Sequence, residues 1–103
     1  MSHAVHEVVQ SRLPEIADLC RQFQVERLDV FGSAARGEDF EPSRSDVDLL
    51  VRFAPGAGRL HLALWRALQK LLGRHVDLIL DGSIRNPYLL RTVEEDRRTI
   101  YEA

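Results

Sequence analysis

Apolar residues in the first quarter of the chain recur at helical spacing. Between Val5 and Phe23 they return every three or four positions, and Pro14 interrupts the run, which predicts two short helices. Pro14 and Glu15 suit the first turn of the second helix, because proline has no amide hydrogen to lose there and a carboxylate is stabilised at a helix N-terminus. Ser11 is the predicted cap of that helix.

Three later segments have the residue pattern of strands. Residues 27–31 alternate in polarity and end at Gly32, which predicts a strand that runs into a tight turn. Apolar and polar side chains alternate again in residues 46–53. Residues 75–80 are β-branched and apolar apart from Asp77, and they are the third predicted strand.

Helices are predicted on either side of the third strand. Residues 60–72 form a strongly apolar amphipathic pattern that ends at Gly73. Asn86 and Pro87 have the residue types of a helix cap and a first helical position, which predicts a helix over residues 88 to about 95.

The order of these elements determines the expected fold class. The polar residues 37–45 predict a loop. Residues 99–101 either continue the last helix or form a short closing strand, and we favour the strand. This order suits an α+β fold, in which a small mixed β-sheet has helices packed mainly on one face.

Composition narrows the class of protein. A chain of 103 residues, 45% hydrophobic and 29% charged, fits one globular domain over residues 1–103. The formal net charge of −2 gives no positive field for direct nucleic-acid binding. Cys20 lies at an apolar helical position, where a buried thiol is expected. Because neither a secretion signal nor a membrane span is recognisable, we expect a cytoplasmic protein without membrane contact.

Two aspartates two positions apart give the first chemical signal. Side chains alternate along a strand, so Asp46 and Asp48 point to the same face, within reach of one cation or of a pair. Adjacent carboxylates repel each other unless a cation compensates them, and oxygen ligands of this kind favour magnesium or manganese. A lone pair of this spacing is more often a solvated strand edge.

The segment after the first predicted strand offers groups that bind anions. Gly32 and Ser33 open a short helical segment whose backbone amides and hydroxyl would face a phosphate. For an isolated Gly–Ser pair, a turn glycine and a helix cap are the commoner explanation. Two interpretations of Arg36 stay open, a contact with phosphate or a solvated guanidinium at a helix end.

Asp77 supplies a third carboxylate in an otherwise apolar strand. If the third strand pairs beside the second, Asp77 faces the same cation and completes a two-metal site. The alternative is a solvated position on an edge strand. His75 lies on the same predicted face, although an exposed histidine at a strand start is the commoner outcome, and Trp65 is expected to pack in the core.

Taken together, these segments resemble the minimal nucleotidyltransferases of the DNA polymerase β superfamily. The resemblance implies the polymerase-β-like nucleotidyltransferase fold and a metal-dependent transfer of a nucleotidyl group. It rests on FGSAARG at residues 31–37, SDVDLLV at residues 45–51, VDLIL at residues 76–80 and NPYLL at residues 86–90.

The resemblance also implies a role for each site residue. Mg²⁺ is the implied cofactor, with Mn²⁺ as the alternative, and ATP is the implied substrate. Asp77 would hold the metal that activates the attacking hydroxyl. The implied metal ligands are Asp46, Asp48 and Asp77, and the implied nucleotide-binding residues are Gly32, Ser33 and Arg36.

Within the superfamily the sequence is most similar to the minimal nucleotidyltransferase antitoxins. These pair with a HEPN-family ribonuclease toxin and transfer AMP from ATP onto a tyrosine of it, so the implied partner is a HEPN toxin encoded by an adjacent gene. The catalytic elements occupy nearly all 103 residues, and the acceptor is therefore expected on another molecule. Homo-oligomers and hetero-oligomers both remain open. The alternatives are a non-catalytic antitoxin that acts by stoichiometric binding and a transferase that acts on a small-molecule hydroxyl.

Overall fold

A single mixed sheet organises the chain. The structure is a computed structural model that describes residues 5–37, 41 and 46–103. Within these residues the sheet has the order β3-β2-β1-β4, in which β1 pairs antiparallel with β2 and β4, and β2 pairs parallel with β3. The strands are Val25–Phe31 (β1), Val47–Phe53 (β2), Val76–Leu80 (β3) and Arg98–Glu102 (β4).

Helices connect the strands and cover mainly one face of the sheet. They are Glu7–Gln10 (α1), Leu13–Gln22 (α2), Ser33–Arg36 (α3), His61–Leu72 (α4) and Pro87–Asp96 (α5), with a 3₁₀ turn at Gly58–Leu60 before α4. Helices α2 and α4 pack on one face of the sheet and α5 packs on the other. None of the described helices is long and apolar enough to cross a bilayer.

Because successive side chains of a strand point to opposite faces of the sheet, the buried apolar residues form two separate clusters. On the α2 and α4 side, buried residues from the three strands β1, β2 and β3 form the main core together with helix residues such as Ile16 and Leu64. On the opposite face Phe31, Leu50 and Val93 form a smaller cluster beneath α5. Each fully buried aliphatic side chain contributes about 1.5–3 kcal/mol, so the larger cluster provides most of the apolar stabilisation.

The predicted α+β class and mixed sheet are confirmed, and several element ends differ from the predictions. The N-cap residue of α2 is Arg12, not Ser11, and its side chain makes no cap hydrogen bond. Ser11 is instead the C-cap residue of α1. Asn86 caps α5 as predicted, accepting from two backbone amides. Residues 98–102 form the closing strand. Most of the predicted loop, residues 38–40 and 42–45, lies outside the described residues.

A buried carboxylate ties α5 to the middle of the sheet. Asp29 on β1 is fully buried, and its two oxygens accept from Arg97 Nε at 2.7 Å and from Arg27 Nε at 3.0 Å. The Arg97 guanidinium also donates to Asp81 at 3.2 Å. Burial opposes the charge on Arg97, but these hydrogen bonds outweigh it and raise the pKa of the guanidinium. The charge on Asp29 is thus compensated from both sides.

Replacing Arg97 by methionine should destabilise the fold markedly. Asp29 would keep only Arg27, and loss of one partner of a buried pair costs about 3 kcal/mol. Urea unfolding of R97M measures the effect. The matched control is R21M, because Arg21 pairs with Asp18 where both side chains are more than 60% exposed, and a change below about 0.5 kcal/mol is expected there. Equal effects of the two substitutions would contradict this role of Asp29.

Candidate active site

The strand register brings two of the predicted site aspartates side by side. Asp48 on β2 pairs with Asp77 on β3 in the parallel ladder, and with Phe31 on β1 in the antiparallel ladder. Because paired positions point to the same face, the carboxylates of Asp48 and Asp77 project together from the face opposite the main core. Asp77 is accordingly among the groups that raise the pKa of Asp48. The pairing of the second and third predicted strands is therefore confirmed.

Asp46 and His75 complete this cluster at the start of β2 and β3. His75 Nδ1 lies 3.2 Å from Asp46 Oδ2 and 3.7 Å from Asp77 Oδ1. One ligand atom from each of these three residues lies within 4.8 Å of the others, a spacing at which they could hold a metal ion. The three side chains are about half exposed, at 46%, 52% and 47% for Asp46, His75 and Asp77.

His75 is closer to the carboxylates than the sequence led us to expect. The commoner outcome for its position was an exposed histidine at a strand start, and the side chain is indeed half exposed. It nevertheless contacts both Asp46 and Asp77. The signal for this contact was its position two residues before Asp77, which puts the two side chains on one face.

Burial and nearby negative charge together raise the pKa of Asp48. Burial is the main cause that raises the pKa of this carboxyl to about 7, and the hydrogen bond and charge of Asp77 and the charge of Asp46 add to it, whereas His75 lowers it. The cluster thus holds more negative charge than its own residues can compensate. A donor set of carboxylates with an adjacent imidazole fits a divalent cation, which would supply that compensation.

Gly32 approaches Asp48 more closely than any other residue type could. Its backbone has φ 72° and ψ −155°, and an added Cβ would lie 2.5 Å from Asp48 Oδ2. Glycine is therefore required both by the positive φ and by the space. Ser33 begins α3 directly after it. The turn predicted to receive a phosphate consequently lies against the carboxylate cluster.

Arg36 has a protein partner that the sequence did not predict. Its Nη1 donates to Asp96 Oδ2 at 2.5 Å, which joins α3 to the last residue of α5. The side chain is 36% exposed. Asp96 is a partner that sequence reasoning missed, because the two residues lie 60 positions apart. A contact of Arg36 with phosphate stays a prediction.

A mixed sheet with a glycine turn against clustered carboxylates is the arrangement of a nucleotidyltransferase domain. The family model of the nucleotidyltransferase domain matches residues 13–100. The chain belongs to this family, as the sequence resemblance predicted.

Several protein adenylyltransferases are similar to this chain over most of its length. One from Methanocaldococcus jannaschii, provisionally named protein adenylyltransferase MJ0128, is 38% identical over 93 residues, which is 82% of this chain and 93% of the relative. Protein adenylyltransferase MntA of Thermococcus cleftensis is 40% identical over 70 residues, 67% of this chain and 69% of the relative. The enzyme class of the chain is accordingly nucleotidyltransferase.

Solved structures share the fold. A structure assigned as a minimal nucleotidyltransferase superposes with a TM-score of 0.73 at 37% identity and covers 95% of this chain and 98% of its own. An MNT antitoxin in complex with a tri-AMPylated HEPN toxin, from Shewanella oneidensis, gives a TM-score of 0.60 at 20% identity over 91% of this chain and 72% of its own. At that identity the second likeness concerns the fold alone.

The metal-free protein should become more stable when Asp48 is replaced by asparagine, by an amount that grows as the pH rises from about 4 to 7 and is largest above pH 7. The folded chain binds a proton at Asp48 more tightly than the unfolded chain, so ionisation between about pH 4 and pH 7 destabilises the fold. After a discount for solvent screening, D48N should gain about 1 kcal/mol at pH 8, or roughly 4–8 °C in Tm. Thermal melting in EDTA at pH 4.5 and pH 8 measures this difference.

Asp46→Asn is the matched control for this experiment. It removes a neighbouring negative charge from a half-exposed position, so its gain at pH 8 should be smaller. An equal gain of D48N at both pH values would contradict the proposed crowding at Asp48.

Proposed function

We propose that this chain is a metal-dependent protein adenylyltransferase that acts as an antitoxin. It transfers AMP from ATP onto a tyrosine of a HEPN-family ribonuclease toxin encoded by an adjacent gene and thereby neutralises the toxin. The observation that carries the proposal is the convergence of Asp46, Asp48 and Asp77 beside the Gly32 turn. The names of the relatives and the HEPN toxin bound to the MNT antitoxin support the reaction and the partner.

On this proposal, the carboxylates would bind the metal and the Gly32 turn would bind ATP. Asp46, Asp48 and Asp77 would hold magnesium, or manganese, through carboxylate oxygens. When bound, these ions supply positive charge that lowers the pKa of the acceptor hydroxyl and stabilises the departing pyrophosphate. The backbone at Gly32 and the Ser33 hydroxyl would bind the triphosphate, and no Cβ at Gly32 obstructs its approach.

The transfer exchanges one phosphorus–oxygen bond for another. The tyrosine oxygen forms a bond to the α-phosphorus of ATP, the bond from that phosphorus to the bridging oxygen breaks, and pyrophosphate leaves with the electron pair. The phenolic proton passes to solvent. The protein acts by positioning and by electrostatics, since none of the described residues needs to form a covalent intermediate.

Incubation with the partner tests this reaction directly. The purified chain, magnesium, ATP and the protein encoded by the adjacent gene should yield partner molecules heavier by one or more AMP groups in intact-mass spectra. EDTA should abolish the increase. The double variant D46N/D48N should reduce transfer at least about a hundredfold, because loss of a main electrostatic element of an active site has effects of that order.

Binding assays with the same double variant separate catalysis from stoichiometric neutralisation. On the proposed function, D46N/D48N still binds the partner but no longer suppresses its ribonuclease activity. Full neutralisation by this variant would favour the non-catalytic antitoxin. An unmodified partner under conditions in which the two wild-type proteins bind would refute the adenylyl transfer.

A further inference from the structure

A cavity lies along the outer edge of β3, beside the carboxylate cluster. Its volume is about 290 Å³, just below the 300–1,000 Å³ that is usual for small-molecule pockets, so it suits a single side chain. One wall comes from α4 and the other from β3. The lining residues are His61, Leu62, Trp65 and residues 75–79.

Side chains of α4 pair with the outward backbone groups of β3, which leaves no room for an added strand at this edge. His75 O accepts from Val47 N, so the backbone groups of Val76 and Leu78 face away from β2. Trp65 Nε1 donates to Val76 O at 2.6 Å, and His61 Nε2 lies 2.7 Å from Leu78 O. Gln69 Oε1 accepts from Val76 N at 3.1 Å. Because these groups have partners, a docking segment would present a side chain to the cavity rather than its backbone.

His75 and Asp77 belong to both the cavity and the carboxylate cluster. The His75 ring meets the Trp65 indole edge to face, with centroids 6.4 Å apart and planes at 80°. Its Nδ1 points to the opposite side, towards Asp46 and Asp77. The cavity is therefore continuous with the cluster, apolar and aromatic along α4 and polar at Asp77.

The cavity and the Gly32 turn lie on opposite sides of the carboxylate cluster. The Gly32 turn lies on the β1 side of Asp48, and the cavity lies on the far side of Asp77. Phosphoryl and nucleotidyl transfer require the attacking and leaving oxygens roughly in line on opposite sides of phosphorus. A triphosphate at the Gly32 turn and an acceptor in the cavity would approach the carboxylates from such opposite sides.

We propose that this cavity receives the side chain of the acceptor tyrosine of the partner protein, with its hydroxyl towards Asp77. The inference rests on the proposed function and adds the acceptor subsite to it. A phenol has the required chemistry, because its ring packs against an indole and an aliphatic side chain while its hydroxyl needs a polar surrounding. Leu62, which is 52% exposed, would be covered by the bound partner.

Trp65 is the single tryptophan of the chain and lines the cavity, so its indole signal can detect binding in the cavity without a catalytic assay. Its indole N–H resonance should shift saturably when N-acetyl-tyrosinamide is added to the ¹⁵N-labelled protein, with a dissociation constant on the order of 1 mM for one side chain. N-acetyl-leucinamide serves as the control probe and should shift it much less. An indole resonance that responds to neither probe would overturn the proposal.

Leu62→Glu tests the cavity in the reaction itself. The position is exposed, so the fold should tolerate the change, and a carboxylate at the mouth should lower transfer to the partner at least tenfold and abolish the Trp65 response. Binding of magnesium–ATP should stay within twofold of wild type. Leu90→Glu is the matched control, an exposed leucine on α5 that does not line the cavity, and it should transfer at the wild-type rate.

The outcomes distinguish the acceptor subsite from the reaction it serves. Wild-type protein that leaves the partner unmodified, yet shows a Trp65 response that L62E abolishes, would refute the adenylyl transfer and support a phenol-binding cavity. Normal transfer by L62E would overturn the subsite while the transfer itself stands. Loss of transfer in L90E but not in L62E would also overturn it, because the acceptor would then dock on α5.

Discussion

The parallel register of β2 and β3 holds the Asp48 and Asp77 carboxylates at directly paired positions. Two negative charges so placed repel each other, and this repulsion adds to burial, the main cause that raises the pKa of Asp48 to about 7. The arrangement persists because the other face of the same strands is buried in the main core, where Leu49 and Val76 are fully covered. The apolar face thus stabilises a register that the polar face alone would oppose, a distribution typical of functional sites.

Asp29 and Asp48 are two carboxylates in contrasting environments. Asp29 is the more buried of the two, but the guanidinium groups of Arg27 and Arg97 pair with its oxygens and compensate its negative charge. Asp48 has carboxylates for neighbours, and among the described residues His75 is the group that opposes their charge. A buried charge with full compensation stabilises the fold, whereas an uncompensated carboxylate is a candidate ligand for a cation.

Local patterns were sufficient to predict most of the fold. The glycine turn, the alternation around Asp48 and the Asn86 cap are each encoded within a few residues. Pairing of β2 with β3 was the condition under which Asp77 would join the cluster, and the structure meets it. The contacts that could not be predicted join distant positions. Arg36 meets Asp96 across 60 residues, and Arg97 meets Asp29 across 68. Such pairs depend on how α5 crosses the sheet, which no short-range pattern specifies.

The edge position of β3 has consequences for both stability and access. An exposed edge strand invites pairing with other chains, and here Trp65, His61 and Gln69 occupy its outward backbone groups. The same side chains leave Asp77 half exposed at the rim of the cavity. Water therefore reaches the carboxylates from the edge, and in the isolated chain it would compete with any acceptor.

On the proposed function, a docked partner would supply the tyrosine and exclude this water in one step, which strengthens the electrostatic interactions that the transfer needs. On the proposed function, the exposure of Asp77 at this edge would therefore make the transfer depend on the complex rather than on the chain alone.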